Sequence, residues 1–476
     1  MSLRGAHYSQ TAAPNQFLRP HAMSARRPLP LPSSPALSLN RSEWLYLACE
    51  GPIGQLNQPY ILRFDGPTDA DTVKRAFRRL VSAYPRLRGV LEPTARRFQL
   101  RILPDDDRLD VLVDLAFRVE HVDVDDEAAC LRWHELALND PMALQRGLAV
   151  RLQFVPHPER AALMFTAHHL LADGRSMVMC IEALIKLLNG QAIADKPLDN
   201  PSMLPAVVPA HWWQWPGKLW ASHRANQAEA RERARYEIVC LPNRRSSHYL
   251  SCGVQHHRSN FAAKDLSRIA KQMGGSTNSM LMAAAATALL DLDGQRAGTA
   301  ALMRMSVDLR RYFPEGTAPQ MGNHVAAIDL LVPAEVPERE RTAWMDKRVR
   351  QGLQRFTDRT LMLPLLPYEW LGWLRPHDYA RLLSRAKRLD ALPRVSCHAT
   401  NIGSIDALNP EGSTVRLREL YPVVAGGAPL LAFLVVDGQQ VMVGSHQRDE
   451  FKDEDAQRLM RQVQVVLGRW VAAAPV

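Results

Sequence analysis

No stretch of this chain holds the roughly 20 consecutive apolar residues needed to cross a bilayer, so a transmembrane helix is excluded and no stable membrane insertion is expected. Cysteines are few. The six, at 49, 130, 180, 240, 252 and 397, form no CxxC pair and no dense framework. That pattern argues against a structural zinc site and suits a reducing, cytoplasmic setting. There is no GxSxG elbow for a serine nucleophile and no helical HxxxH pair for a metal. An RNP-like aromatic motif, a zinc finger and a long Lys/Arg run are all missing, which excludes nucleic acid as the expected partner. The first 40 residues contain no acid, and their Pro- and Ser-rich "RRPLPLPSSPALSLN" has no period and no secretory apolar segment. Residues 1–40 therefore read as a disordered tail.

What is present is an ordinary globular composition, 46% hydrophobic and 23% charged, over 476 residues. That length is too great for one core, so two domains are expected. The net charge is +10, of which Arg4, Arg19, Arg26 and Arg27 of the tail supply four. The remaining six suit a partner bearing phosphates or carboxylates, or simply a soluble surface.

From residue 41 onward strands and helices mix. "QPYILRF" reads as a strand. A helix follows, capped by Thr68 or Asp69, with Val73, Phe77, Leu80 and Val81 on one face and Pro85 closing it. "EAACLRWHELAL" is helical, and 148–155 and 161–168 form a hairpin across "PHPER". The second half predicts helices at 276–291, 337–356, 377–389 and 453–472. It also predicts strands at 299–307, 324–332 and 394–401, and a hairpin turning at Asp437-Gly438. Between the halves, 192–255 is Pro- and Trp-rich, with a charged helix near 226–238. The expected organisation is a first subdomain at 41–195, a crossover at 196–255 and a second subdomain at 256–476.

The second strand of the first hairpin ends in "TAHHLLADGRSM" (166–177), followed by a helix with the stripe Met177, Ile181, Leu184, Ile185 and Leu188. Strand alternation puts His168 and His169 on opposite faces. They are therefore poorly placed to share a metal ion, and no other cluster has ligand spacing. A histidine displayed at a strand end is well suited to proton transfer near neutral pH. An acid four residues on can brace the loop by pairing with an arginine, and Gly174 lets a backbone or substrate pass closely. A buried histidine above an N-capping Asp173 fits the same pattern.

"HHLLADG" resembles the HHxxxDG signature of the condensation-domain acyltransferase superfamily. "DPMALQRGLAVRLQF" (140–154), "YPRLRGVLE" (84–92), "MSVDLRRYFPEGTAPQMGNHV" (305–325) and "ATNIGSID" (399–406) are similar to further segments of that superfamily, in order, over about 41–476. The resemblance implies an α/β fold of two chloramphenicol-acetyltransferase-like halves, mixed sheet plus helices, in a V-shaped pseudo-dimer. It implies His169 as general base, His168 as support, and Asp173 as a brace paired with Arg310, or less well with Arg304. Gly174, Arg310 and Asn401 would form the substrate-binding set. No metal and no permanently bound cofactor are implied. The donor would be a phosphopantetheine or coenzyme A thioester, brought by an acyl or peptidyl carrier protein or as acyl-CoA. The acceptor would be a small alcohol or amine, and a monomer is expected. Two departures matter: no DFGWG occurs near the end, which disfavours a plant-type enzyme, and Thr400 precedes Asn401 where the pattern has Ser.

A wax ester synthase-like lipid acyltransferase and a non-catalytic carrier-binding scaffold are the competing readings. Trp212, Trp213, Trp215 and Trp220, and later "LMLPLLPYEWLGW" (361–373), are expected to pack the crossover onto the body; lining an acyl tunnel or touching a membrane is the alternative. The second pair, His256-His257, has no following Asp-Gly and is expected to be incidental.

Overall fold

The computed structural model describes residues 34–94, 97–243, 251–363, 375–389 and 391–474. The first half runs β1 (Ala36–Ser38), α1 (Arg41–Cys49), β2 (Asn57–Asp65), α2 (Ala70–Ala83), β3 (Gly89–Pro93), β4 (Phe98–Ile102) and α3 (Asp107–Ala116). It continues through β5 (Phe117–Val119), α4 (Glu127–Asn139), β6 (Val150–Val155), β7 (Ala162–His168) and α5 (Gly174–Leu188). The crossover holds α6 (Leu204–Val207), α7 (Trp215–Arg233) and β8 (Glu237–Ile238). The second half begins with β9 (Cys252–Ala262), α8 (Ala263–Gln272), α9 (Thr277–Leu292), β10 (Thr299–Asp308), β11 (Val325–Pro333) and α10 (Arg341–Thr357). It ends with α11 (Pro376–Arg388), β12 (Cys397–Ser404), β13 (Arg416–Pro422), β14 (Leu430–Val436), β15 (Gln439–Gln447) and α12 (Asp453–Ala473).

Two mixed sheets, a small antiparallel sheet of order β1-β4-β3 and two large hydrophobic clusters give the expected α/β architecture. The first sheet has the order β13-β2-β7-β6-β5, antiparallel except for the β5–β6 pair. β7 lies near its centre with every residue buried, so the chain reaches the histidines along a rigid strand. α2 forms as its pattern dictates. The Asp69 side chain caps it by accepting from Thr72 N at 2.8 Å, and Val73, Phe77, Leu80 and Val81 are buried. Burial of a side chain such as Phe77 is worth about 1.5–3 kcal/mol.

The second sheet runs β11-β10-β12-β14-β15-β9, with β8 also on β10. Its central helix α9 is buried nearly all round, as its Met- and Ala-rich sequence allows, and packs against α10 and α12. The β14–β15 hairpin turns at Asp437 and Gly438, both at positive φ (47° and 71°), as the Asp-Gly pair predicts.

Four expectations need correction. The tail is ordered at its end: β1 pairs with β4, and Asn40 caps α1 by accepting from Glu43 N. Residues 1–33 lie outside the described residues. The boundary at 256 does not separate the sheets, because β13 pairs antiparallel with β2 of the first half. The crossover helix starts at Trp215, not near 226, because Pro216 sits in the first turn, where its missing N–H costs nothing. Finally, three of the four crossover tryptophans do not pack inward: Trp212, Trp213 and Trp220 are 79%, 61% and 64% exposed, while Trp215 is half-buried. Of the later aromatic segment, 364–373 lies outside the described residues.

Candidate active site

The site grows from the end of β7. His168 is its last residue, and the chain then turns tightly, with Leu171 N donating to His168 O at 2.9 Å. His169 N donates to Leu56 O at 2.8 Å, which anchors the turn to the segment entering β2. Asp173 ends the turn as the N-cap of α5, its carboxylate accepting from Ser176 N at 2.9 Å.

The two histidines meet different neighbours. The His168 ring is fully buried; its Nδ1 accepts from Leu170 N at 3.1 Å, and its Nε2 lies 3.5 Å from Glu50 Oε1. The His169 ring stacks on Tyr46 of α1, with centroids 3.8 Å apart and planes 15° from parallel. Asn323 reaches it from the second half: its carboxamide nitrogen lies 2.9 Å from His169 Nδ1 and donates to His169 O at 2.8 Å. The ring is thus fixed along its Nδ1 edge and one face. Burial drives the His169 pKa down to about 4, against weaker upward pulls from its own carbonyl and Asp173, so the ring is neutral at pH 7. His168 and His398 of β12 are both close enough to disfavour its charge. His398 Nε2 in turn lies 2.9 Å from Ser306 Oγ on β10.

Asp173 is a brace between the halves. Its Oδ2 accepts from Arg310 Nη1 at 2.8 Å and from His324 N at 2.8 Å. Burial pushes its carboxyl pKa up, but the Arg310 charge and these hydrogen bonds outweigh that and hold it below the usual carboxylate range. Arg310 also donates to Asp308 Oδ1, Pro319 O, Ser176 Oγ and Gly322 O. Every N–H of its guanidinium has an acceptor, so Arg310 has none left for a substrate, and its expected substrate-binding role is replaced by bracing. Gly322 sits at φ +132°, where a Cβ would fall 2.8 Å from His324 Nε2, so glycine is required for its carbonyl to meet Ser176 and Arg310.

The remaining expected residues are placed less tightly. Gly174 opens α5 without positive φ, and a Cβ there would meet only Tyr60 Oη at 3.6 Å. The fold itself therefore does not demand glycine at 174. Asn401 is exposed; its side-chain oxygen accepts from Gly403 N at 2.9 Å across a β-bulge, with no hydrogen bond to the His169 cluster. Arg304 pairs with Asp329 at 2.7 Å, not with Asp173. His256 is not incidental: it hydrogen-bonds His134 at 2.8 Å and stacks on Tyr421, tying α4 to β9 and β13.

Sequence reasoning missed Asn323, although it lies in the quoted "MGNHV". It also missed Arg86 of "YPRLRGVLE", which is buried, pairs with Glu43 and donates to Leu171 O at 3.1 Å, supporting the turn after the histidines. Tyr46 carries no local signal. Among the described residues no group of three or more His, Cys, Asp or Glu could hold a metal ion.

The chain is similar to known proteins. The Condensation domain family model matches residues 52–304, more than half of the chain. The chain belongs to the condensation-domain family. Over 174 residues it is 27% identical to the polyketide synthase PksN of Bacillus subtilis, covering 36% of this chain and 3% of that protein. Over 211 residues it is 25% identical to the chondramide synthase cmdD of Chondromyces crocatus, covering 40% of this chain and 5% of that one. The condensation-domain chain thus spans only a few per cent of the curated relatives it matches. Among solved structures, the first condensation domain of the CDA synthetase superposes with TM-score 0.68 at 15% identity, covering 93% of this chain and 97% of that one. The TRI3 trichothecene 15-O-acetyltransferase of Fusarium sporotrichioides superposes with TM-score 0.66 at 11% identity, covering 90% and 95%. At such identities these likenesses establish the fold.

Proposed function

We propose that this condensation-domain protein transfers an acyl group from a thioester to a small alcohol or amine, making an ester or amide in natural-product assembly. The observation that carries the reading is the His169 ring: neutral, stacked on Tyr46 and held along its Nδ1 edge, with Nε2 left for a substrate. For Nε2 to act as a base, the ring proton must sit on Nδ1 and be donated to the carbonyl of His169; the Asn323 carboxamide nitrogen, which can only donate, then bonds to that carbonyl and merely packs beside Nδ1.

The acceptor's oxygen or nitrogen attacks the thioester carbonyl carbon while its proton passes to His169 Nε2. The tetrahedral adduct then collapses, the C–S bond breaks, and the imidazolium returns the proton to the leaving thiolate. Asp173 favours the transient charge on the ring, although its carboxylate bonds only to Arg310, Ser176 and the His324 backbone. A hydroxyl acceptor needs this help during attack, whereas an amine needs it only to shed its proton. The open side of Gly174, where only Tyr60 approaches, would admit the pantetheine arm of a carrier protein or of coenzyme A. The names of the matched relatives, a polyketide synthase and a chondramide synthase, favour a carrier-bound donor.

The test offers acetyl and longer acyl thioesters, on coenzyme A and on phosphopantetheinylated carrier protein, to the purified chain with a panel of alcohols and amines. Mass spectrometry should detect ester or amide with a carrier-bound donor. Product from acyl-CoA and fatty alcohol alone would point to the lipid acyltransferase reading. A carrier protein that binds and never loses its acyl group would leave a scaffold.

A further inference from the structure

The crossover ends in a feature that acyl transfer does not use. His211, Trp212 and Trp213 form a short turn ahead of α7, with Leu219 and Trp220 one turn inside the helix. Trp212, Trp213 and Trp220 are each more than three-fifths exposed, and Leu219 is exposed as well. The rings touch one another and nearby histidines: His211 stacks on Trp213 at 4.3 Å, and Trp212 meets Trp213 edge-on at 6.2 Å. The far part of α7 is anchored to the body. Glu232 pairs with Arg348, Glu229 pairs with Arg355, and Asn226 accepts from Arg355 at 2.6 Å. The helix is thus held by its C-terminal half while its N-terminal half and the preceding turn present indoles to solvent.

Charge runs the same way. Between Asp199 and Glu229 the chain carries no acid, while Lys218 and Arg224 flank the rings and Arg224 is exposed. Exposed indoles with cations and no acid match the membrane–water interface, where tryptophan sits at headgroup level and Lys or Arg meets anionic phosphates. No described helix is long and apolar enough to cross a membrane, so contact would be peripheral.

We propose that the 211–224 surface docks the protein on an anionic phospholipid bilayer, with Trp212, Trp213 and Trp220 in the headgroup region. This surface lies outside the His169 site, so the proposal stands or falls independently of acyl transfer. The test is co-sedimentation of the full chain with phosphatidylcholine vesicles and with mixed phosphatidylcholine–phosphatidylglycerol vesicles, read together with tryptophan fluorescence. Binding to the mixed vesicles with a blue-shifted emission is expected. The triple variant Trp212→Ala/Trp213→Ala/Trp220→Ala should bind at least about tenfold more weakly. Lys218→Gln and Arg224→Gln should each cost about fivefold, reduced further by salt. Circular dichroism and acyl transfer serve as controls, and both should be unchanged in the triple variant. Failure of the wild type to bind mixed vesicles, or undiminished binding by the triple variant, overturns the proposal. So does a dimer in sedimentation velocity that the triple variant abolishes, which would assign the face to a second copy of the chain.

Discussion

Asp173→Asn tests the brace between the halves. The carboxylate is fully buried, and the Arg310 side chain facing it is only 10% exposed, so solvent screens their interaction little. An amide can keep its oxygen toward Arg310 and His324 N, but its NH2 then faces the Ser176 N–H that the carboxylate now caps. The variant leaves the Arg310 charge with only the partly exposed Asp308, 3.1 Å away, as its partner, so the cost falls toward the low end of the about 3–5 kcal/mol for breaking a buried pair. Loss of the α5 N-cap is the smaller part, about 1 kcal/mol. Against a typical total of about 5–15 kcal/mol, that is a large fraction. Guanidinium unfolding followed by circular dichroism should show a clear fall in midpoint, and acyl transfer should fall with it. The double variant Asp173→Asn/Arg310→Met should lose less than the two single losses together, because the two side chains share one interaction that each single variant already breaks. An Asp173→Asn protein within about 1 kcal/mol of wild type and fully active would refute the brace.

Asn323→Ala removes both contacts to His169 and should slow transfer roughly 10–100-fold through lost ring placement. The same change should cost only about 1–2 kcal/mol of stability in the unfolding assay. Acid should weaken the fold through the His134–His256 contact, where burial pushes the pKa values down to about 4 and about 2. Unfolded histidines titrate near 6.5, so the unfolded chain binds more protons below that pH. Stability from this pair is therefore complete above about pH 6.5 and is lost as the pH falls toward 4. The unfolding midpoint measured from pH 7 to 4 should drop less steeply in His134→Gln/His256→Gln than in the wild type.

Much of this was legible because local rules sufficed. The caps at Asp69 and Asp173, the α5 stripe and the Asp437-Gly438 turn are written within a few residues each, and the structure keeps them. The pairing of Asp173 with Arg310 was legible through the resemblance of their two segments to the condensation-domain superfamily. What stayed hidden depends on distant partners. β13 has no clean alternation, because a register shift between Leu417 and Glu419 breaks it, and its partner β2 lies some 350 residues away. Tyr46 reaches His169 across more than 120 residues of chain, and no periodicity marks it. The exposed tryptophans defeated the rule that large rings go inside. That rule holds only where the fold supplies a surface to bury them.

His169→Ala is the most direct test of the central claim, measured as acyl-product formation by mass spectrometry with a donor that the wild type accepts. The ring touches Tyr46 and Asn323, and the main-chain bond to Leu56 O survives the substitution, so the variant should fold. Product formation at least about a hundredfold slower is expected, the lower bound for losing a positioned base. A folded His169→Ala protein that makes product at the wild-type rate would contradict that claim.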